Sequence, residues 1–144
     1  MGKDRLSPST TPPSPHPAKT SRIYNLLSAI AAFAMWGGWA YYINSGFGQS
    51  TRIVSAIAQG IASFLITLFM VRAVTWLFHR MPNAMLKLIL PAVLTVSFTG
   101  TCLATLHFFV GTPRILQTIA PALTVAFLFC FYTTLKLKKQ LNKL

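Results

Sequence analysis

Four long, uncharged and mostly apolar segments dominate this sequence. They cover residues 23–51, 53–71, 88–113 and 115–135. An α-helix needs about 20 apolar residues to cross the hydrocarbon core of a bilayer, and a chain in lipid must satisfy its backbone hydrogen bonds internally. We therefore predict an all-α polytopic membrane protein with four transmembrane helices, at about residues 23–43, 53–76, 85–107 and 115–136.

The composition disfavours a soluble domain and limits the choice of partners. Only 10% of the residues are charged, whereas about a quarter are charged in a typical soluble domain. The formal net charge is +12, but the loops between the apolar segments are too short to form the basic surface patch that nucleic-acid binding needs. We expect no nucleic-acid partner.

Residues 1–22 differ from the rest of the chain. They contain five prolines and several serines and threonines but almost no apolar side chains, and such a segment cannot bury enough surface to fold. The sequence therefore predicts a disordered, basic, Ser/Pro-rich cytoplasmic tail at 1–22 and a four-helix transmembrane domain at 23–144. A docking or phosphorylation segment is the alternative interpretation of the tail.

The distribution of basic residues predicts the orientation in the membrane. Eleven of the 13 Lys and Arg residues lie near the two termini or near the loop between the second and third helices, and only Arg52 and Arg114 lie on the other side. By the positive-inside rule both termini are cytoplasmic, which predicts a multi-pass protein of a bacterial-type inner membrane. The basic side is also expected to attract anionic lipid headgroups.

Two parts of the sequence resemble each other. The seven residues that begin at Arg52 and the seven that begin at Arg114 are identical at four positions, and the same offset of 62 residues aligns Gly38 with Gly100. One interpretation is a pair of tandem helical hairpins, at 23–80 and 85–142, related as a parallel repeat. Chance similarity between apolar helices is the alternative.

Small residues recur at the spacing that allows membrane helices to approach closely. Ala34 and Gly38 lie four residues apart in the first span, and Ala56 and Gly60 do so in the second. Such pairs favour helix packing, because the two backbones come within dispersion contact. The pairs are expected to pack within the bundle, or alternatively against a second copy or another protein.

A basic and aromatic cluster is predicted at the cytoplasmic end of the second span. Arg72, Trp76 and His79 share one helix face, and Arg80 follows directly. An arginine at this depth extends its guanidinium toward the interface, so we predict that these four residues contact lipid headgroups. Ordinary anchoring of the helix end is the plainer interpretation, and a specific anionic-lipid site is the sharper one.

Hydroxyl side chains form two rows on the third span. Ser97, Thr101 and Thr105 are spaced by four residues, and Thr95 and Thr99 lie on a neighbouring row. Hydroxyls in lipid usually bond to the preceding turn of their own helix or to a neighbouring helix. A polar path for a translocated headgroup is the alternative.

Three further residues of the spans have possible structural roles. Pro91 and Pro121 each remove one backbone donor and can kink their helices. His107 lies near the non-cytoplasmic end of the third span, where it is expected to act as an interfacial hydrogen-bonding residue.

The sequence offers no set of residues for catalysis. Its only acidic side chain is Asp4, so paired carboxylates and a Ser-His-Asp triad are excluded. Cys102 and Cys130 lie on different spans and show neither metal-ligand spacing nor a disulfide framework. We therefore expect no enzymatic activity, no metal and no cofactor.

Two functions remain after these exclusions. The first is an accessory or scaffold subunit that packs against a larger membrane complex, as the small-residue faces and short loops suggest. The alternative is a small oligomeric transporter or lipid-translocating protein for an anionic or neutral substrate. A closed, dry bundle would favour the first, and a water-accessible cavity at mid-bilayer depth between the hairpins would favour the second.

Overall fold

The computed structural model describes residues 17–143, with side chains from residue 21 onward. It contains four helices, α1 (Pro17–Ile43), α2 (Gln49–Arg80), α3 (Ala84–Phe109) and α4 (Ile115–Leu141). Each is long and apolar enough to cross a membrane. The prediction of an all-α chain with four membrane-spanning helices is confirmed.

The helix ends differ from the predicted spans at two places. α1 begins at Pro17, so residues 17–22 of the predicted tail are helical, since proline fits the first turn of a helix, where its missing N–H is not needed. The prediction of disorder for residues 1–16 lies outside the described residues. α2 has 32 residues and is about 48 Å long, which exceeds the roughly 30 Å of hydrocarbon.

The helices form two antiparallel hairpins that pack side by side. α1 pairs most extensively with α2, and α3 pairs with α4. α2 also packs on α3 and α4, whereas α1 touches α4 at few positions and has no contact of note with α3. The predicted repeat relates α1 to α3 and α2 to α4, so the α1–α4 contact should match the α3–α2 contact. The α2–α3 contact is more extensive than the α1–α4 contact, so the two hairpins do not pack symmetrically.

We name the two ends of the bundle by their connections. The terminal end is where α1 and α3 begin and where α2 and α4 end; the distal end carries the loops at residues 44–48 and 110–114. The interior of the terminal half is apolar, with a buried cluster of Met70, Val74, Ala92 and Cys130. Most of the buried polar side chains lie in the distal half: Asn44, Ser55, Gln59, His107, Thr112 and Thr118.

The outer surface of the bundle is apolar, as expected for a protein in lipid. Large side chains such as Phe98, Phe109 and Leu116 are 72%, 80% and 77% exposed. In water such a surface would cause aggregation, whereas lipid tails solvate it. The chain therefore has the character of a multi-pass membrane protein.

The close approach of α1 and α2 depends on glycine. A Cβ atom at Gly37 would lie 3.0 Å from the backbone oxygen of Ala56 and 3.4 Å from the Cα atom of Gly60. Of the four residues predicted for helix packing, Ala56 and Gly60 lie in this contact, while Ala34 and Gly38 are exposed. The α1 residue that faces α2 is Gly37, one position before the glycine that the spacing singled out.

A hydrogen bond from α1 to α4 replaces the helical hydrogen bond that is missing at Pro121. Pro121 has no N–H, so the carbonyl of Gln117, four residues earlier, loses its helical donor. The indole Nε1 of Trp39 donates to this carbonyl oxygen at 3.0 Å. The tryptophan thus links α1 to α4 near the distal end.

We expect Trp39→Phe to destabilise the purified protein by about 1 kcal/mol, because the Gln117 carbonyl is then unpaired. Pro121→Ala should restore an intrahelical donor to that carbonyl. In the Pro121→Ala background, Trp39→Phe should therefore cost much less, as measured by denaturation in mixed detergent micelles. Equal costs in both backgrounds would show that Trp39 acts only by packing.

Candidate functional site

Five polar side chains form one continuous hydrogen-bonded chain in the distal half of the bundle. The ring of His107 is at its centre, with Nε2 2.7 Å from Gln59 Oε1 and Nδ1 2.7 Å from Thr112 Oγ1. Ser55 Oγ lies 3.0 Å from the Thr112 oxygen, and Gln59 Nε2 donates to Ser63 Oγ at 3.2 Å. We call this set, Ser55, Gln59, Ser63, His107 and Thr112, the buried polar chain.

The α3–α4 loop brings Thr112 back to the histidine. Gly111 has a φ of +71°, a left-handed conformation that suits glycine at the end of a helix. Around it, Gly111 N donates to the Phe108 oxygen and Thr112 N donates to the His107 oxygen at 2.9 Å, the two bonds of a Schellman motif. The turn therefore places the Thr112 hydroxyl beside the ring of His107.

One arrangement of protons satisfies every bond of the buried polar chain. With the Gln59 oxygen facing the ring, His107 donates from Nε2, and its Nδ1 accepts the Thr112 hydroxyl proton. Ser55 then donates to Thr112, and the Gln59 amide donates to Ser63. In this arrangement the histidine is the neutral tautomer that carries its proton on Nε2. All the bonds then point in one direction along the chain.

A second group of bonds joins the end of α1 to the start of α4. The Asn44 amide donates to the hydroxyl of Thr118 at 3.0 Å and to the Ala40 carbonyl at 2.9 Å. The Arg114 backbone N–H donates to the Asn44 oxygen at 3.3 Å. The Asn44 side chain is fully buried, so these bonds close the distal end between α1 and α4.

Cationic side chains at the distal surface stack on aromatic rings. The Arg52 guanidinium lies 4.0 Å from the centroid of Tyr41, and that of Arg114 lies 5.7 Å from Phe47. These are the two arginines that the proposed repeat makes equivalent. Both guanidinium groups lie over aromatic rings near the α1–α2 connection, and these contacts stabilise the distal loops.

Near the middle of the bundle a cleft separates α1 of the first hairpin from α4 of the second. It has a volume of about 360 Å³ and opens sideways out of the bundle. We name it the lateral cleft, and its walls come from all four helices, mainly from α1 (Asn25, Ser28, Ala31, Ala32, Met35, Trp36), α2 (Ser63, Ile66, Thr67, Met70, Val71) and α4 (Ala122, Leu123, Val125, Ala126, Phe129), with Thr99 and Leu103 of α3 at its floor.

Three of the four hydroxyl groups that line the lateral cleft donate to their own helices, and the fourth, that of Ser63, accepts from Gln59. Ser28 donates to the carbonyl of Tyr24, Thr67 to that of Ser63 and Thr99 to that of Thr95, at 2.7–2.9 Å. Their donor protons are therefore used, and the cleft presents mainly carbon atoms. A lining of this kind suits an apolar ligand better than a polar solute.

The predicted hydroxyl stripe does not line an internal path. Ser97, Thr101 and Thr105 are exposed on the outside of α3, and Thr101 donates to the Ser97 carbonyl at 2.9 Å. The row therefore lines no path between the helices of this chain, because it faces away from them, and a polar path along its outer face stays a prediction. The second row, Thr95 and Thr99, faces inward and is buried.

The four residues predicted to contact lipid headgroups lie at the terminal end of α2. Arg72, Trp76, His79 and Arg80 are all exposed, and the Arg80 guanidinium stacks on the Trp76 ring at 4.7 Å. The structure brings this pair together and records no bond between Arg72 and either of them. Their contact with headgroups stays a prediction.

The chemistry available in the described part of the protein is limited. No group of three or more His, Cys, Asp or Glu side chains that could hold a metal ion occurs among residues 21–143. Cys102 is exposed and Cys130 is buried, and both are free thiols. Ser55, Gln59, His107 and Thr112 do not line the lateral cleft, and the buried polar chain reaches the cleft only at its last member, Ser63.

The central role of Gln59 was not predicted from the sequence. His107 was predicted to lie at the interface, whereas its side chain is fully buried. A usable signal was present, because His107 is followed by glycine four residues later and threonine five residues later, a spacing that suits the Schellman turn. Gln59, an amide within an apolar span, also needed a partner. The pairing itself joins residues 48 positions apart.

Comparison with known proteins gave no relative. No family model matches the sequence, and no curated protein and no solved structure shows a significant match.

Proposed function

We propose that this protein is an accessory or scaffold subunit of a larger membrane complex. We place it in a bacterial-type inner membrane with both termini cytoplasmic. The observation that carries the proposal is a small-residue surface on α1. Ala34 and Gly38 face outward, and a Cβ atom added to Gly38 would meet nothing within 4 Å.

No contact within this chain requires a glycine at position 38. Gly37 already provides the close approach of α1 to α2, and a glycine inside a helix costs about 1 kcal/mol relative to alanine. Ala34, Gly37 and Gly38 border a shallow hollow that Tyr41 and Ile57 also line. A helix of another subunit could approach the α1 backbone here, as small-residue pairs allow in membranes.

The closure of the distal end weighs against the transport alternative. The buried polar chain, the bonds of Asn44 and the bond from Trp39 to Gln117 fill the distal half between the helices. The lateral cleft lies at mid-depth between the hairpins, as a transport site would, but three of its four hydroxyls donate to carbonyls of their own helices. A solute would find neither a polar lining nor an exit at the distal end.

The basic terminal end supports contact with anionic headgroups. Arg72, Trp76, His79 and Arg80 lie together on exposed positions of α2, near the expected membrane boundary. At a membrane surface each basic residue contributes about 1 kcal/mol of attraction to anionic lipid. Such contacts would hold the subunit at a fixed depth while α1 engages its partner.

We expect Ala34→Leu to release a partner that the unmodified protein retains during purification in mild detergent. The leucine side chain would fill the hollow beside Gly38 and keep the partner helix at a distance. The retained fraction should fall several-fold, as measured by quantitative co-purification from native membranes. A photo-crosslinking residue at position 38 should label the same partner.

The matched control is Ala120→Leu, which makes the same change at an exposed alanine of α4. It should leave both the yield and the partner unchanged. Equal retention by the two variants, or a chain that purifies alone with no crosslink from position 38, would contradict the proposal.

A further inference from the structure

The lateral cleft has the length and volume of a pocket for a hydrocarbon chain. On α1 it extends from Asn25 to Trp36, which is about 16 Å along the helix axis. The cleft holds about 360 Å³, within the range of pockets for small molecules.

The chemistry of the cleft selects an apolar occupant that enters from the side. Its polar groups are few, and the hydroxyls of Ser28, Thr67 and Thr99 are bonded to their own helices. An empty cleft would forfeit the dispersion contacts of its lining. The opening lies between α1 and α4, where the surrounding medium of a membrane protein is lipid.

Two basic side chains, one on α4 and one on α1, lie beyond the cleft toward the terminal end. Lys136 lies seven residues, or about two turns, beyond Phe129 on nearly the same face of α4. Arg22 precedes Asn25 by three residues on α1. Both side chains are exposed, and no carboxylate side chain occurs among residues 21–143 to neutralise them. A ligand that complements these two positive charges therefore carries an anionic group at the membrane surface.

We propose that the lateral cleft binds one acyl chain of an anionic phospholipid from the leaflet at the terminal end, with the headgroup phosphate between Arg22 and Lys136. The chain enters between α1 and α4 and lies along Ala31, Met35 and Trp36. This site is separate from the Arg72 cluster, because Arg72 and Val71 are successive residues of α2 and only Val71 lines the cleft. It uses other residues than the proposed partner surface at Ala34 and Gly38, which adjoins it on α1.

Trp36 in the wall of the cleft gives a direct measurement. The protein is reconstituted into phosphatidylcholine vesicles that contain a minor fraction of either brominated phosphatidylglycerol or brominated phosphatidylcholine. The Trp36 signal is the difference between the fluorescence of the unmodified protein and that of Trp36→Phe. We expect phosphatidylglycerol to quench this signal several-fold more strongly than phosphatidylcholine at the same fraction.

Variants of the wall and the mouth locate the site. Ala31→Phe, which fills the cleft from an exposed position, should abolish the preference for phosphatidylglycerol. Lys136→Ala should weaken it. Ala120→Phe and Lys139→Ala, which change residues outside the cleft lining, should retain it. Circular dichroism and size-exclusion profiles equal to those of the unmodified protein establish that each variant is folded.

Three outcomes would overturn the proposal. Equal quenching by the two brominated lipids indicates ordinary contact with bulk lipid. A preference that survives Ala31→Phe places the anionic lipid elsewhere, with the Arg72 cluster as the next position to vary. A Trp36 signal that neither lipid quenches means that protein covers the cleft, as a partner or a second copy would.

Discussion

His107→Ala is expected to destabilise the protein by about 3 kcal/mol. The substitution removes the imidazole ring, so the Gln59 carbonyl and the Thr112 hydroxyl lose their bonds to it in a buried site. Each buried polar group that is left without its partner costs about 1–3 kcal/mol. It also leaves a cavity between α2 and α3. Reversible unfolding in mixed detergent micelles, followed by tryptophan fluorescence, measures the change.

The matched control for this prediction is His79→Ala, because His79 is an exposed histidine. It should leave the free energy of unfolding unchanged. Gln59→Leu should cost nearly as much as His107→Ala by itself, but should add little to it, since both changes remove the same bond. Fully additive costs would mean that the two side chains act separately, contrary to the 2.7 Å contact.

Gly37→Leu is expected to cost at least about 3 kcal/mol, since overpacking of a tight contact typically costs 1–3 kcal/mol and a leucine adds four carbons. The first of these atoms would already lie 3.0 Å from a backbone oxygen of α2. A backbone oxygen cannot move aside as a side chain can, so α1 must separate from α2. The yield of folded protein and its thermal midpoint should both fall.

Gly38→Leu tests the same substitution one residue later. A Cβ atom at this position has no neighbour within 4 Å, so the purified chain should not be destabilised, and loss of the helix glycine should make it more stable by up to about 1 kcal/mol. Equal damage from the two substitutions would show that the helix rotation of α1 differs from the structure described above.

The two halves of the interior differ in chemistry, and the difference suggests a separate role for each. Directional hydrogen bonds fill the distal half and hold the helices in one register. In the terminal half the core is apolar. At the middle of the bundle α1 stands apart from α4, which leaves the lateral cleft open. If the two proposals hold, the distal half provides the rigid frame, α1 offers its outer surface to a partner, and the cleft takes a lipid chain.

The local features of the fold could be predicted from the sequence. Hydropathy and length determine the number of helices and their approximate bounds, because a backbone in lipid can satisfy its hydrogen bonds only within its own segment. The start of α1 was misplaced, since the prolines of the tail indicated disorder, although proline fits the first turn of a helix. The spacing of small residues located the α1–α2 contact to within one residue.

Which of the two neighbouring glycines faces α2 was decided only by the tertiary structure. Successive residues are about 100° apart around a helix, so the choice between Gly37 and Gly38 decides which glycine meets α2 and which faces lipid. The sequence contains both and gives no reason to prefer either. The rotation of α1 is set by contacts along the whole hairpin, including the fit of Phe33 over Gly60.

The chain by itself therefore determined that four apolar helices cross a membrane and that positive charge gathers at one end, since both follow from the transfer of each segment between water and lipid. Only the tertiary structure decided that Gln59 meets His107 and that a cleft opens between α1 and α4. These features depend on contacts between residues far apart in sequence, whose geometry is defined only when all four helices have packed.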